Sequence, residues 1–150
     1  MEVKKIILPN EVMLGEVSRL LAEGHPVVIM TKGVSMLPFI VGEKDSVLLE
    51  RPQDLKVGDI ALAEVHKGHY VLHRVRKVEG ENVLLMGDGN IRGTEACKMP
   101  QIVGVVKEIQ HPNGSVTDPW DKRQMRRWHR WIKIPTIVRR IYLKIKRTFL

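Results

Sequence analysis

The chain holds a single cysteine, Cys97, which excludes an intrachain disulfide and suits a reducing compartment. Nothing near Cys97 marks its thiol as activated, so a packing role is expected of it. Long apolar runs are missing as well. The longest segment without Asp, Glu, Lys or Arg is ten residues, 33–42, against roughly 20 for a helix that crosses a bilayer. The N-terminal run Ile6-Ile7-Leu8 is too short for the core of a secretory signal, so the expectation is a cytosolic chain. Acidic residues are scarce at one end: residues 121–150 carry 11 Lys and Arg and one acid, whereas residues 1–120 carry 14 against 16. The formal net charge of +8 therefore describes the C-terminal tail and not the body. No internal repeat and no low-complexity segment is present.

A chain of 150 residues suffices for one domain with an appendage. Asn10 is placed to cap a helix over residues 11–23, with Met13, Leu14, Val17, Leu20 and Leu21 on one face and Gly24 as its stop. No second helix follows to complete a helix-turn-helix. Short apolar runs at 27–30, 46–50, 59–64, 70–78, 82–86 and 102–109 are punctuated by glycines, which implies a mainly β (α+β) domain. A folded sheet or partly closed β-barrel over residues 1–118 is expected.

Residues 119–150 read differently. Trp128, Trp131, Ile132, Ile134, Ile137, Val138, Ile141, Tyr142 and Ile145 recur near a helical period among arginines and lysines, and Pro135 splits the segment into two helices. Two readings stand side by side: a helical tail packed on the body with a solvated basic face, or an interfacial helix pair at an anionic membrane surface. Basic charge attracts any polyanion, nucleic acid included, but the isoleucine face suits lipid or protein better.

The candidate reaction centre is Lys32-Gly33-Val34-Ser35-Met36-Leu37-Pro38-Phe39, a serine between a strand-like run and a proline. Pro38 biases Leu37 away from helix, Gly33 permits close backbone approach, and amides beside a serine can hold a developing oxyanion. A serine hydroxyl needs a base. His73, on a strand face with Val71 and Val75, is held among apolar neighbours that keep imidazole neutral. A core histidine satisfied by a carbonyl is the alternative. His66 and His69 lack the cysteines or acids of a metal site, so no metal is expected.

Taken together, Gly33-Val34-Ser35-Met36-Leu37-Pro38, Val57-Gly58-Asp59-Ile60, His73-Arg74-Val75, Gly87-Asp88-Gly89-Asn90 and Val103-Gly104-Val105-Val106 resemble, in order and spacing, the boxes of the signal peptidase I and repressor self-cleavage superfamily of serine peptidases. The resemblance covers about residues 27–110. It implies Ser35 as nucleophile, His73 as base in the manner of the endoplasmic-reticulum and archaeal branch, and Asp88 as the family's acidic residue. Histidine-type members carry a further aspartate five or six residues past the Gly-Asp pair; here Gly93 and Thr94 stand there and Glu95 follows. A Ser35–His73 dyad is accordingly the core expectation, with Asp88 or Glu95 orienting the histidine or supporting the loop. Main-chain amides at Gly33, Ser35 and Met36 are the oxyanion candidates. Val34 before the serine matches the repressor form. The membrane helix that signal peptidases carry ahead of the serine is replaced by a soluble amphipathic helix.

The expected activity is that of a serine endopeptidase acting on a peptide or protein precursor on the cytosolic side, without cofactor, peripheral to the inner membrane face through residues 120–150. A self-cleaving regulator and a non-catalytic β-module that binds membrane or partner are the rival expectations.

Overall fold

The computed structural model describes residues 3–6, 10–90 and 93–150. Among them nine strands join in one mixed sheet and three α-helices pack around it. The strands are β1 (Lys4–Ile6), β2 (Val27–Met30), β3 (Ser46–Glu50), β4 (Ile60–His66), β5 (His69–Glu79), β6 (Asn82–Met86), β7 (Glu95–Lys98), β8 (Ile102–Gln110) and β9 (Val116–Thr117). Their spatial order is β1-β2-β3-β8-β4-β5-β6-β7, with β9 on β8. Only the β1–β2 pair is parallel.

The α+β expectation holds, but the sheet is open and does not close into a barrel. It folds over instead. Alternation along β4 sends Ile60 and Leu62 to one core and Ala61 and Ala63 to another. The first core lies under α1 (Glu11–Ala22), whose Val17, Leu20 and Leu21 meet Ile29, Val47, Leu49 and Val106. The second joins Ala61 and Ala63 to Val75, Leu85 and Cys97, so β6 and β7 lie back across the small residues of β4. Alanines at those two positions leave room for that approach.

Asn10 caps α1 as expected, its side chain accepting from the Met13 amide at 3.0 Å. Gly24 follows the helix at φ 88°. Helix α1 rests on β8 where that strand has no side chain: a Cβ at Gly104 would stand 2.8 Å from Leu21 Cδ1. β7 is a strand that the apolar pattern does not show. Its apolar pair, Ala96 and Cys97, is flanked by Glu95 and Lys98, so it lacks the alternation of a half-buried strand and instead has the charges of a sheet edge.

Residues 122–148 form the two expected helices, α2 (Lys122–Lys133) and α3 (Thr136–Thr148), broken at Pro135. Asp121 caps α2 by accepting from the Arg123 and Gln124 amides. Trp128 and Trp131 of α2 and Leu143 of α3 are buried with Leu37 and Phe39 in a third core. The tail is thus packed against the loop that carries Ser35.

Because Leu21 is fully buried, its terminal methyl cannot swing clear of a new neighbour. Gly104→Ala is expected to lower stability by about 1–3 kcal/mol, read as a lower urea midpoint, and the added change Leu21→Val is expected to recover part of that loss.

Candidate active site

Ser35 sits in a loop whose ends are tied together. The Thr31 amide donates to the Asp45 carbonyl at 3.0 Å, the Thr31 hydroxyl donates to the same oxygen at 2.7 Å, and the Glu43 amide returns to the Thr31 carbonyl at 2.7 Å. The neck is closed by two glycines: a Cβ at Gly42 would lie 2.1 Å from the Gly33 carbonyl oxygen. Gly33 itself has φ 83°, a left-handed conformation that favours glycine. Within the loop the Phe39 and Ile40 amides both donate to the Met36 carbonyl. Among the described residues, the amides of Gly33, Ser35 and Met36 donate no main-chain hydrogen bond, which leaves the three sequence-derived oxyanion candidates without a backbone acceptor of their own.

The Gly87-Asp88-Gly89 segment lies flush beneath this loop. The Gly89 amide donates to the Ser35 carbonyl at 2.8 Å. A Cβ at Gly89 would stand 2.5 Å from the Val34 carbonyl oxygen, and one at Gly87 would stand 2.4 Å from the Ser35 carbonyl oxygen. That same point at Gly87 is 3.2 Å from His73 Cδ2. Glycine is required here by close approach, and the approach brings the Ser35 main chain and the His73 ring against one atom's width of space.

His73 is buried, 6% exposed, and its Nδ1 has no hydrogen-bond partner. No hydrogen bond joins its ring to Ser35 among the described residues. Burial pushes the imidazole below its ordinary pKa of 6.5, against the opposing pull of the Glu95 and then the Asp88 charges. The neutral ring is therefore the resting form at pH 7.

The two acids fall in different places. Asp88 turns away from His73. Its carboxylate accepts from Arg74 Nη2 at 2.6 Å and Nε at 3.3 Å, and from Trp128 Nε1 at 3.2 Å, while its carbonyl accepts from Trp131 Nε1 at 2.8 Å. Arg74 follows His73 on β5, so the two side chains leave opposite faces of the strand. Of the two roles open to Asp88, its bonds are those of loop support. Glu95 takes the other face: it pairs in register with Leu85, which pairs with Val75, two residues from His73 on the same side of β5. It reaches His73 by charge alone, with no hydrogen bond between them among the described residues.

Residue pattern assigns no role to Arg74, although it stands inside a family-like box, and reads Trp128 and Trp131 only as part of the apolar face of the tail, not as partners of Asp88. Arg74 is 2% exposed, also donates to the Gly58 carbonyl at 3.1 Å, and lies over the Phe39 and Trp128 rings. A fully buried arginine signals a paired acid, but the sequence does not show which acid.

Ser35 also borders an apolar cavity of about 120 Å³, walled by Leu14 of α1, Ile29, Met36, Leu62, Tyr70 and Leu72. The amphipathic helix thus supplies one wall of the space beside the serine. His66 and His69 face each other as rings 6.3 Å apart, and no group of three or more His, Cys, Asp or Glu suited to a metal occurs among the described residues. Cys97 packs in the second core, where burial raises its thiol pKa.

Removing one partner of a buried ion pair strands the other charge. Asp88→Ala is accordingly expected to cost about 3–5 kcal/mol in chemical denaturation. His73 adds an acid-sensitive share. Because folding lowers its pKa, its contribution is full above pH 6.5 and is lost as pH falls from there through the folded-state value. His73→Phe is expected to flatten that part of the stability profile. Scanned against protein-family models the chain matches none, and a search of curated proteins likewise finds no similar protein.

Proposed function

We propose that the protein is a serine endopeptidase of the signal peptidase and repressor type, working through a Ser35–His73 dyad. The observation that supports this most directly is the shared contact at Gly87, where the Ser35 carbonyl and the His73 ring edge meet the same glycine. A hydroxyl-bearing loop and a buried, neutral imidazole are thereby held side by side by main-chain packing rather than by flexible side chains.

The chemistry follows from the groups present. His73 takes the proton from the Ser35 hydroxyl as the oxygen attacks the scissile carbonyl. Main-chain amides of Gly33, Ser35 and Met36 offer hydrogen bonds to the oxyanion that forms. The imidazolium then gives its proton to the departing amine, leaving an acyl-enzyme at Ser35. Water, deprotonated by His73, attacks that ester, and the serine is restored. The proton held by His73 during each step is stabilised by the Glu95 charge. The apolar cavity beside Ser35 accommodates an uncharged substrate side chain, and an extended peptide is the expected substrate form. The reaction calls for neither cofactor nor metal.

Burial lowers the His73 pKa, so the base remains competent below the pH at which an exposed histidine would be half protonated. A serine-directed acylating probe is expected to label the full chain at a rate whose half-maximum lies below pH 6.5. Ser35→Ala is expected to abolish labelling, and His73→Ala to slow it by about 100- to 10,000-fold, the range of a lost general base. Labelling that survives Ser35→Ala, or that never occurs in the folded protein, overturns the peptidase reading.

A further inference from the structure

Helix α3 turns its most apolar surface away from the protein. Leu143 is its buried residue, 1% exposed, packed with Leu37, Trp128 and Trp131. At about 100° per residue, Ile137, Ile141 and Ile145 lie on the far side from Leu143. Those three are 66%, 57% and 55% exposed, and Val138, Tyr142 and Phe149 widen the same arc. A contiguous exposed stripe of this kind marks a contact surface. The Trp pair of α2 is absorbed by the body through Asp88, so the two halves of the basic tail have different surroundings.

The charge around the stripe is of one sign. Residues 122–150 hold 11 Lys and Arg and no Asp or Glu. Arg140 and Lys144 edge the stripe on one side and Lys146 on the other. Where α3 meets α2 and the Pro38–Phe39 turn, a cleft of about 320 Å³ is lined by Arg127, Arg130 and Arg139 above Trp131, Tyr142 and Phe39. Arg139 Nε is buried there without a hydrogen-bond partner, and burial with Arg76 nearby disfavours its charge. Arg127 and Arg130 are exposed at the rim of the cleft, where an anion can meet them.

We propose that α3 docks on an anionic phospholipid bilayer, with the Ile137, Ile141 and Ile145 stripe among the headgroups and upper acyl chains and lipid phosphate held by Arg127, Arg130 and Arg139. The combination selects lipid. A nucleic acid would satisfy the cations but offers nothing to a row of isoleucines. A second copy of the chain would cover the isoleucines only by bringing two basic tails together. Among the described residues no helix is long and apolar enough to cross a membrane, so the contact is interfacial. The inference is independent of whether Ser35 reacts.

The test uses the full chain carrying Ser35→Ala, which separates docking from catalysis. Its sedimentation is measured with vesicles of phosphatidylcholine alone and of phosphatidylcholine with phosphatidylglycerol. Binding to the anionic vesicles is expected to exceed that to the neutral ones by about tenfold or more. The combined change Ile137→Ser, Ile141→Ser and Ile145→Ser, which leaves the charge untouched, is expected to reduce it by about tenfold or more. Arg127→Gln with Arg130→Gln is expected to reduce it to a similar degree. All altered positions but Ser35 are solvent-exposed, so circular dichroism should report an unchanged fold. Equal binding to both vesicle types, or no loss on removing the isoleucines, overturns the proposal. So does a wild-type dimer in solution that the serine substitutions convert to monomer, because the stripe would then be a self-interface.

Discussion

A single buried ion pair, Arg74 with Asp88, is the interaction on which the arrangement around Ser35 depends. Both side chains are 2% exposed, and neither charge would be tolerated there without the other. The pair ties β5 to the segment after β6, and that segment is the floor of the Ser35 loop. Two indole N–H groups from α2 complete the acceptor capacity of Asp88, one at its carboxylate and one at its carbonyl. The basic tail is therefore held through Asp88, and the Ser35 loop through the glycines on either side of it. Loss of the pair would release both.

Strand alternation then gives two adjacent residues different surroundings. His73 and Arg74 are adjacent in β5 but leave opposite faces of it. One face carries the imidazole, with Glu95 two strands away in register; the other carries the guanidinium that fixes the floor. The Gly87-Asp88-Gly89 segment repeats the division. Its glycines approach the Ser35 loop to a distance no side chain permits, while its aspartate is held by Arg74 and the indoles. Positioning is thus achieved by glycine backbone and a buried charge pair, leaving the His73 ring free of any hydrogen bond that would tie up its Nδ1.

Much of the fold was legible because it rests on local pattern. The helix capped by Asn10, the strands at 27–30, 46–50 and 82–86, and the break at Pro135 all follow from periodicity and backbone-restricting residues that act within a few positions. The two short strands β1 and β9 and the charged edge strand β7 escaped, since a run of two to four residues shows no period and is defined by its partner. Residue type and order single out Ser35 and His73, and the structure brings both against Gly87. The different surroundings of Asp88 and Glu95 were not legible, because they depend on which face of β5 each approaches.

By itself the amino-acid sequence determined the alternation of short strands, the amphipathic helices, the excess of positive charge in the last thirty residues and the presence of a serine, a histidine and glycines at family-like intervals. Those are properties of composition and short-range spacing, which the chain carries whether folded or not. Tertiary structure alone decided that Gly87 would meet both Ser35 and His73, that Asp88 would be claimed by Arg74 and two tryptophans, and that α3 would show its isoleucines to solvent. Each of these joins residues far apart in the chain. Each depends on close packing and on pairing of buried charge, which arise only when the sheet folds over and the tail closes against it.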